Sequence, residues 1–176
     1  LLTRKPVTVG TPRIQALVRG KTVLVTGAAG SIGPERCRQI AAAGPRTLIL
    51  FDRHENGVFD LEARLSASAF GVRLVPILGD VLLDDQLRTV FSTHSPELVF
   101  HAAAYKHVSL AEKNPLETVR NNVIGTRNVV RMAATSGVSD FVLISTDKAV
   151  EPTSVMGLTK RVAERIVQSA KTSENV

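Results

Sequence analysis

Thr26-Gly27-Ala28-Ala29-Gly30-Ser31-Ile32-Gly33 decides the fold of this 176-residue chain. Residues 22–26 before it form a β-branched, nearly all-apolar run, as a strand buried on both faces does. Residues 31–43 after it carry helical periodicity, stopped by Gly44-Pro45. The glycines therefore follow T-G-x-x-G-x-x-G at a strand-to-helix junction, the context that gives this pattern meaning. Gly27 allows a tight turn off the strand, Gly30 a close approach of backbone to a pyrophosphate, and Gly33 close packing of helix on sheet. Ala29, Ser31 and Ile32 complete the loop, and amides at a helix start favour phosphate charge. Pro34 falls in the first turn, where a missing N–H costs little.

A second buried strand, 47–51, leads to Asp52, about twenty residues beyond the glycines, where a carboxylate grips adenosine ribose hydroxyls. A carboxylate beside a 2′-phosphate is repelled by about a few kcal/mol at an effective dielectric near 20, so Asp52 favours NAD. The neighbouring Arg53 could pair with that phosphate, which keeps NADP open.

Outward from this unit, helical stretches at 56–70, 84–93, 116–135 and 155–170 alternate with strands at 73–78, 98–101 and 141–145. A short helical turn is expected at 14–18. The alternation predicts βαβ units, hence a doubly wound parallel α/β sheet of the Rossmann kind, with ligands at the carboxyl ends of the strands. Residues 1–20 read as a lead-in and 21–176 as one nucleotide-binding domain. Asp80 and Val81 end the third strand, where a carboxylate could meet the adenine amino group. His101, Ala102 and Ala103 end the fourth, where small side chains leave room for a cofactor.

Composition narrows the classes. The chain is 44% hydrophobic and 22% charged, which reads as globular. Its single cysteine, Cys37, lies in an apolar-periodic stretch, has no metal-ligand spacing around it, and reads as a small buried hydrophobe. No metal site is expected. No run is long enough to span a membrane, and there is no signal-peptide pattern. The net charge of +6 comes without a basic, aromatic-interleaved motif, so it reads first as a solvated basic surface and second as attraction for a dinucleotide and a sugar diphosphate, rather than for nucleic acid. The chain opens on Leu1 and stops at Val176 without closing a pattern, which predicts a piece of a longer protein.

The chemistry-bearing segment is Ser145-Thr146-Asp147-Lys148-Ala149-Val150, followed by Met156 and Lys160 on one helix face. Together with His101-Ala102-Ala103-Ala104-Tyr105-Lys106-His107-Val108, with residues 121–126 and with the glycine stretch, it resembles extended short-chain dehydrogenases. More narrowly, it is similar to the nucleotide-sugar 4,6-dehydratases of bacterial polysaccharide biosynthesis. The resemblance implies Lys160 as the lysine of a Tyr-x-x-x-Lys pair, with Met156 at the tyrosine position, as in the membrane-bound branch of that family. It also implies Asp147 and Lys148 as acid and base of an elimination, with Thr146 bonding the C4 oxygen. Tyr105, Lys106 and His107 would lie on the sugar side. It further implies a missing substrate lobe, a homo-oligomeric full-length protein, and a cytoplasmic domain of a membrane-anchored parent.

On this reading the reaction is C4 oxidation by NAD or NADP, water loss across C5–C6, and hydride return to C6 of a nucleotide-diphosphate sugar. Two alternatives stay open. A 4-epimerase shares the C4 oxidation but needs no C5 base. A non-catalytic NAD(P) sensor would account for Met156. One of Asn121 and Asn122 is expected to have a structural hydrogen-bonding role.

Overall fold

The computed structural model describes residues 12–68 and 70–172. In chain order it has α1 (Pro12–Val18), β1 (Thr22–Thr26), α2 (Gly33–Ala42), β2 (Thr47–Asp52), α3 (Glu55–Ala67), β3 (Arg73–Leu78), α4 (Asp84–His94) and β4 (Leu98–His101). There follow α5 (Val108–Lys113), α6 (Pro115–Val119), α7 (Gly125–Thr135), β5 (Asp140–Leu143) and α8 (Val155–Thr172). A π-helical turn, Arg120–Ile124, joins α6 to α7, and a 3-10 turn, Asp147–Ala149, precedes α8.

The five strands are parallel in the order β3-β2-β1-β4-β5. The chain builds outward from β1 through β2 to β3, then returns to β4 on the other side of β1. That reversal opens a crevice at the carboxyl ends of β1 and β4, the ligand position of doubly wound sheets. Every residue of β1 is buried, and its side chains alternate between two cores. Val23 and Val25 join Val18, Cys37, Ile40 and Leu61 on the α1–α3 face. Leu24 joins Leu87, Phe91, Val129 and Met132 on the α4–α7 face. Each such side chain contributes about 1.5–3 kcal/mol over its exposed state. Cys37 is one of them, and burial pushes its thiol up to about 12, which leaves it unreactive.

The elements depart from the sequence expectations in five places. Helix α2 begins at Gly33 rather than at residue 31, because the glycine loop folds back on itself: a Cβ on Gly33 would stand 2.2 Å from the Ala28 carbonyl oxygen. Helix α5 was not anticipated, since six residues show too little periodicity to read. The expected single helix over 116–135 is instead α6, the π turn and α7, starting at Pro115. Strand β5 ends at Leu143, so Ile144 and Ser145 belong to the loop above the sheet. The expected turn at 14–18 is a helix from Pro12 whose Val18 enters the first core. Among the described residues, no helix is long and apolar enough to cross a membrane.

Candidate active site

The glycine loop caps the crevice. Gly27 has φ +72°, and a Cβ there would lie 2.5 Å from the Ala103 nitrogen, so both backbone conformation and the turn after β4 demand glycine. No side chain caps α2, whose first amides therefore remain for an anion. Asp52 sits at the tip of β2 and organises the loop: Ala29 N–H donates to Oδ2 at 2.9 Å and His54 N–H to Oδ1 at 3.0 Å. Each oxygen keeps further acceptor capacity. Asp52 faces a cavity of about 160 Å³ that Gly30, Asp80, Val81, Ala102, Ala103 and Tyr105 also line. Asp80 is fixed in turn, its Oδ1 accepting from Leu82 N–H at 2.9 Å.

Arg53 crosses this cavity's rim. Its guanidinium donates to the Tyr105 hydroxyl and lies 3.5 Å from Asp80 Oδ2, with its central carbon 5.0 Å from the Tyr105 ring centre. The phenol oxygen holds the Arg53 charge in place and raises its already high pKa. Tyr105, expected on the sugar side, thus stands at the junction of two cavities. The second, about 420 Å³, is lined by Gly30, Ser31, Ile32, Gly33, Tyr105, Lys106, His107, Thr146, Lys148, Met156 and Lys160. Gly27, Ile144, Ser145, Ala102 and Ala104 complete it. Adjoining volumes of this size fall in the range of small-molecule sites.

At the far end, Thr146 leaves β5 extended and donates to Asp147 Oδ1 at 2.9 Å. That hydrogen bond, with Lys148 beside it, holds the Asp147 carboxyl below the usual carboxylate range. Lys148 Nζ lies 3.4 Å from the same oxygen, and the two side chains are 56% and 88% exposed, so the pair does not hold itself shut. Asp147 does not itself line the cavity that Thr146 and Lys148 line. The turn is seated on α8 at Gly157, where a Cβ would meet the Lys148 carbonyl oxygen at 2.5 Å. Lys160 is buried beneath it and donates to the Ile144 carbonyl at 2.5 Å. Burial lowers its pKa to about 8. Met156, one helical turn back, is buried and offers no titratable proton.

His101 corrects an expectation. Its side chain is 1% exposed and lines neither cavity. The register pairs it with Thr26, and both point into the α4–α7 face, where Nδ1 and the Thr26 hydroxyl are 2.6 Å apart. Nε2 lies 2.9 Å from the Thr126 hydroxyl, which itself donates to the Asn122 carbonyl at 2.6 Å. Because Thr126 spends its proton there, His101 donates through Nε2 and accepts from Thr26 at Nδ1. Burial, with Lys160 nearby, keeps the ring neutral and drives its pKa down to about 3. Only the backbone turn after His101 serves the crevice.

The role of the asparagines resolves around the π turn, which buries both. Asn122 Oδ1 accepts from Tyr105 N–H at 2.8 Å, while its Nδ2 donates to the Tyr105 carbonyl and the Thr159 hydroxyl, each at 3.0 Å. Asn121 donates to Asn122 Oδ1 at 3.0 Å and lines the smaller cavity. No spacing rule pointed to this clamp, because its partners lie far off in sequence. Among the described residues, no cluster of His, Cys, Asp and Glu could hold a metal ion.

Comparison with known proteins agrees with this architecture. The pattern of a family described as polysaccharide biosynthesis protein matches residues 23–176. The chain is 50% identical over 171 residues to the probable polysaccharide biosynthesis protein EpsC of Bacillus subtilis, across 96% of this chain and 28% of that protein. It is 30% identical over 155 residues to a UDP-N-acetylglucosamine 4,6-dehydratase (inverting) of Campylobacter jejuni, across 88% and 45%. A UDP-glucose 4-epimerase of Rickettsia rickettsii is 33% identical over 83% of this chain and 42% of that protein. The solved structure of Pen from Bacillus thuringiensis superposes with a TM-score of 0.82 at 32% identity, covering 89% of this chain and 47% of that one. The chain thus spans less than half the length of each of these proteins.

Proposed function

This chain belongs to the polysaccharide biosynthesis protein family, and from that membership we propose that it is the cofactor-binding part of a nucleotide-sugar 4,6-dehydratase using NAD or NADP. The observation that carries the reading is the seating of Thr146, Lys148, Met156 and Lys160 around one cavity with the glycine loop. The cradle fits a dinucleotide. The glycine loop and the α2 amides would hold the pyrophosphate, Asp52 the adenosine ribose, Asp80 and Val81 the adenine, and Lys160 the nicotinamide ribose.

A bound nicotinamide would supply a hydride acceptor for C4 of the sugar and a hydride donor for C6. The 4-ketone acidifies C5–H. Lys148, on the cavity wall, removes that proton. Asp147 gives its proton to the C6 hydroxyl, and the C–O bond breaks to release water. The Thr146 hydroxyl bonds the C4 oxygen, whose proton passes to solvent as C4 is oxidised, and Lys148 gives a proton back to C5 as hydride reaches C6. Proton transfers of this kind contribute about 10²–10⁴-fold each. Tyr105, Lys106 and His107 carry the sugar side of the wall. Activity, substrate and oligomeric partners belong to the longer protein.

One observation favours a second reading, a 4-epimerase. Asp147 is held toward its ionised form, whereas an acid must carry a proton. Burial of the exposed carboxylate under substrate would reverse this, since desolvation disfavours the charged form. Proton NMR on the full-length protein with UDP-N-acetylglucosamine and NAD in D₂O separates the readings. A new C6 methyl signal with deuterium at C5 is the expected result. A C4 epimer retaining its C5 proton would replace the dehydratase by the epimerase.

A further inference from the structure

The Arg53–Tyr105 contact lies where no role in sugar chemistry requires it. Arg53 follows β2 and Tyr105 follows β4, so a bond between them passes across the end of β1, which lies between those strands. Asp80, after β3, anchors the guanidinium on one side, and Glu117 of α6 accepts from the Tyr105 hydroxyl at 3.4 Å on the other. The Tyr105 backbone cannot swing, because Asn122 holds both its N–H and its carbonyl. Arg53 and the Tyr105 ring are therefore the movable parts of an otherwise fixed ring of groups around the smaller cavity. Both side chains line that cavity, and Tyr105 also lines the larger one.

We propose that Arg53 and Tyr105 form a strap over the adenosine end of the cradle, which must part for the dinucleotide to enter or leave. The proposal rests on the dinucleotide reading above. It gives that reading a kinetic consequence: a cofactor that is reduced and reoxidised within each turnover need not exchange, and a strap built from protein side chains keeps it in place. A gate differs from a simple ligand contact in its signature. Losing a contact raises the dissociation rate alone, whereas opening a gate raises association and dissociation together.

Stopped-flow NADH fluorescence on this chain tests the strap, comparing wild type with Tyr105→Phe and Arg53→Lys. Tyr105→Phe keeps the ring and the Asn122 clamp, and a thermal melt checks that each variant is folded. Both variants are expected to raise both rate constants about tenfold, the equivalent of one charge-assisted hydrogen bond, with a smaller change in Kd. Unchanged rates, or a faster dissociation with unchanged association, would overturn the strap while leaving the dinucleotide reading intact. Failure of the folded wild type to bind either NADH or NADPH would overturn both.

Discussion

Lys160 Nζ donates to the carbonyl oxygen of Ile144 at 2.5 Å, and this bond ties α8 to the loop that β5 releases. Lys160 is 6% exposed, so its ammonium sits where charge is disfavoured, and burial lowers its pKa to about 8 from 10.5. The unfolded chain therefore binds this proton more tightly than the folded one. The penalty is complete below about pH 8 and is relieved as pH rises toward 10.5. At 1.36 kcal/mol per unit the penalty is roughly 3 kcal/mol. Urea unfolding at pH 7 and 9.5 should show the wild type gaining stability relative to Lys160→Met. Parallel pH dependences would contradict this.

His101 works in the opposite pH range. Its folded pKa, driven to about 3 by burial, lies below the ordinary 6.5. The stability that depends on a neutral ring is present above pH 6.5 and is lost as pH falls toward 3. The full loss amounts to about 5 kcal/mol. His101→Gln should flatten the acid limb of the stability curve, at a cost near neutrality from the disturbed Thr26–Thr126 bridge. An acid limb as steep as that of the wild type would place the sensitivity elsewhere.

Asn122 should matter more for folding than any exposed ion pair. Asn122→Leu removes four hydrogen bonds and leaves the Tyr105 N–H, the Tyr105 carbonyl and the Asn121 amide without these partners, while the Thr159 hydroxyl keeps its bond to the Met156 carbonyl. At about 1–3 kcal/mol per unsatisfied buried group, the loss should reach several kcal/mol. Arg38→Ala, which breaks an exposed pair with Glu35, should stay within about 1 kcal/mol. A chemical-denaturation comparison of the two decides it.

Gly27 and Gly44 separate two reasons for glycine. Their φ values are +72° and +76°, but a Cβ at Gly44 would meet nothing within 4 Å, whereas at Gly27 it would strike the backbone of Ala102 and Ala103, just after β4. Gly44→Ala should cost about 1–2 kcal/mol, the left-handed penalty alone. Gly27→Ala should cost clearly more and weaken NADH binding. Equal melting shifts would show that crowding at the crevice is unimportant.

Most of the fold was legible because its signals are local. The run from Thr22 to Thr26 can be buried on both faces only in a parallel sheet, and the glycine spacing up to Gly33 fits one strand–turn–helix geometry. Asp52 and the stretch from Thr146 to Lys148 were legible for the same reason, since strand ends in such a sheet face one edge. The π turn was not legible, because its two inward asparagines serve partners on a β4 loop and on α8.

The sequence by itself determined the sheet, its parallel sense and the edge where ligands sit, through periodicity and the sterics of glycine and β-branched residues. Only the tertiary structure decided which strand-end side chains reach that edge. Strand register turned His101 inward onto Thr26 and Thr126, and the crossing over β1 brought Arg53 to Tyr105. Those pairings join residues distant along the chain. They are set by how strands align and helices pack, which no local pattern of residues encodes.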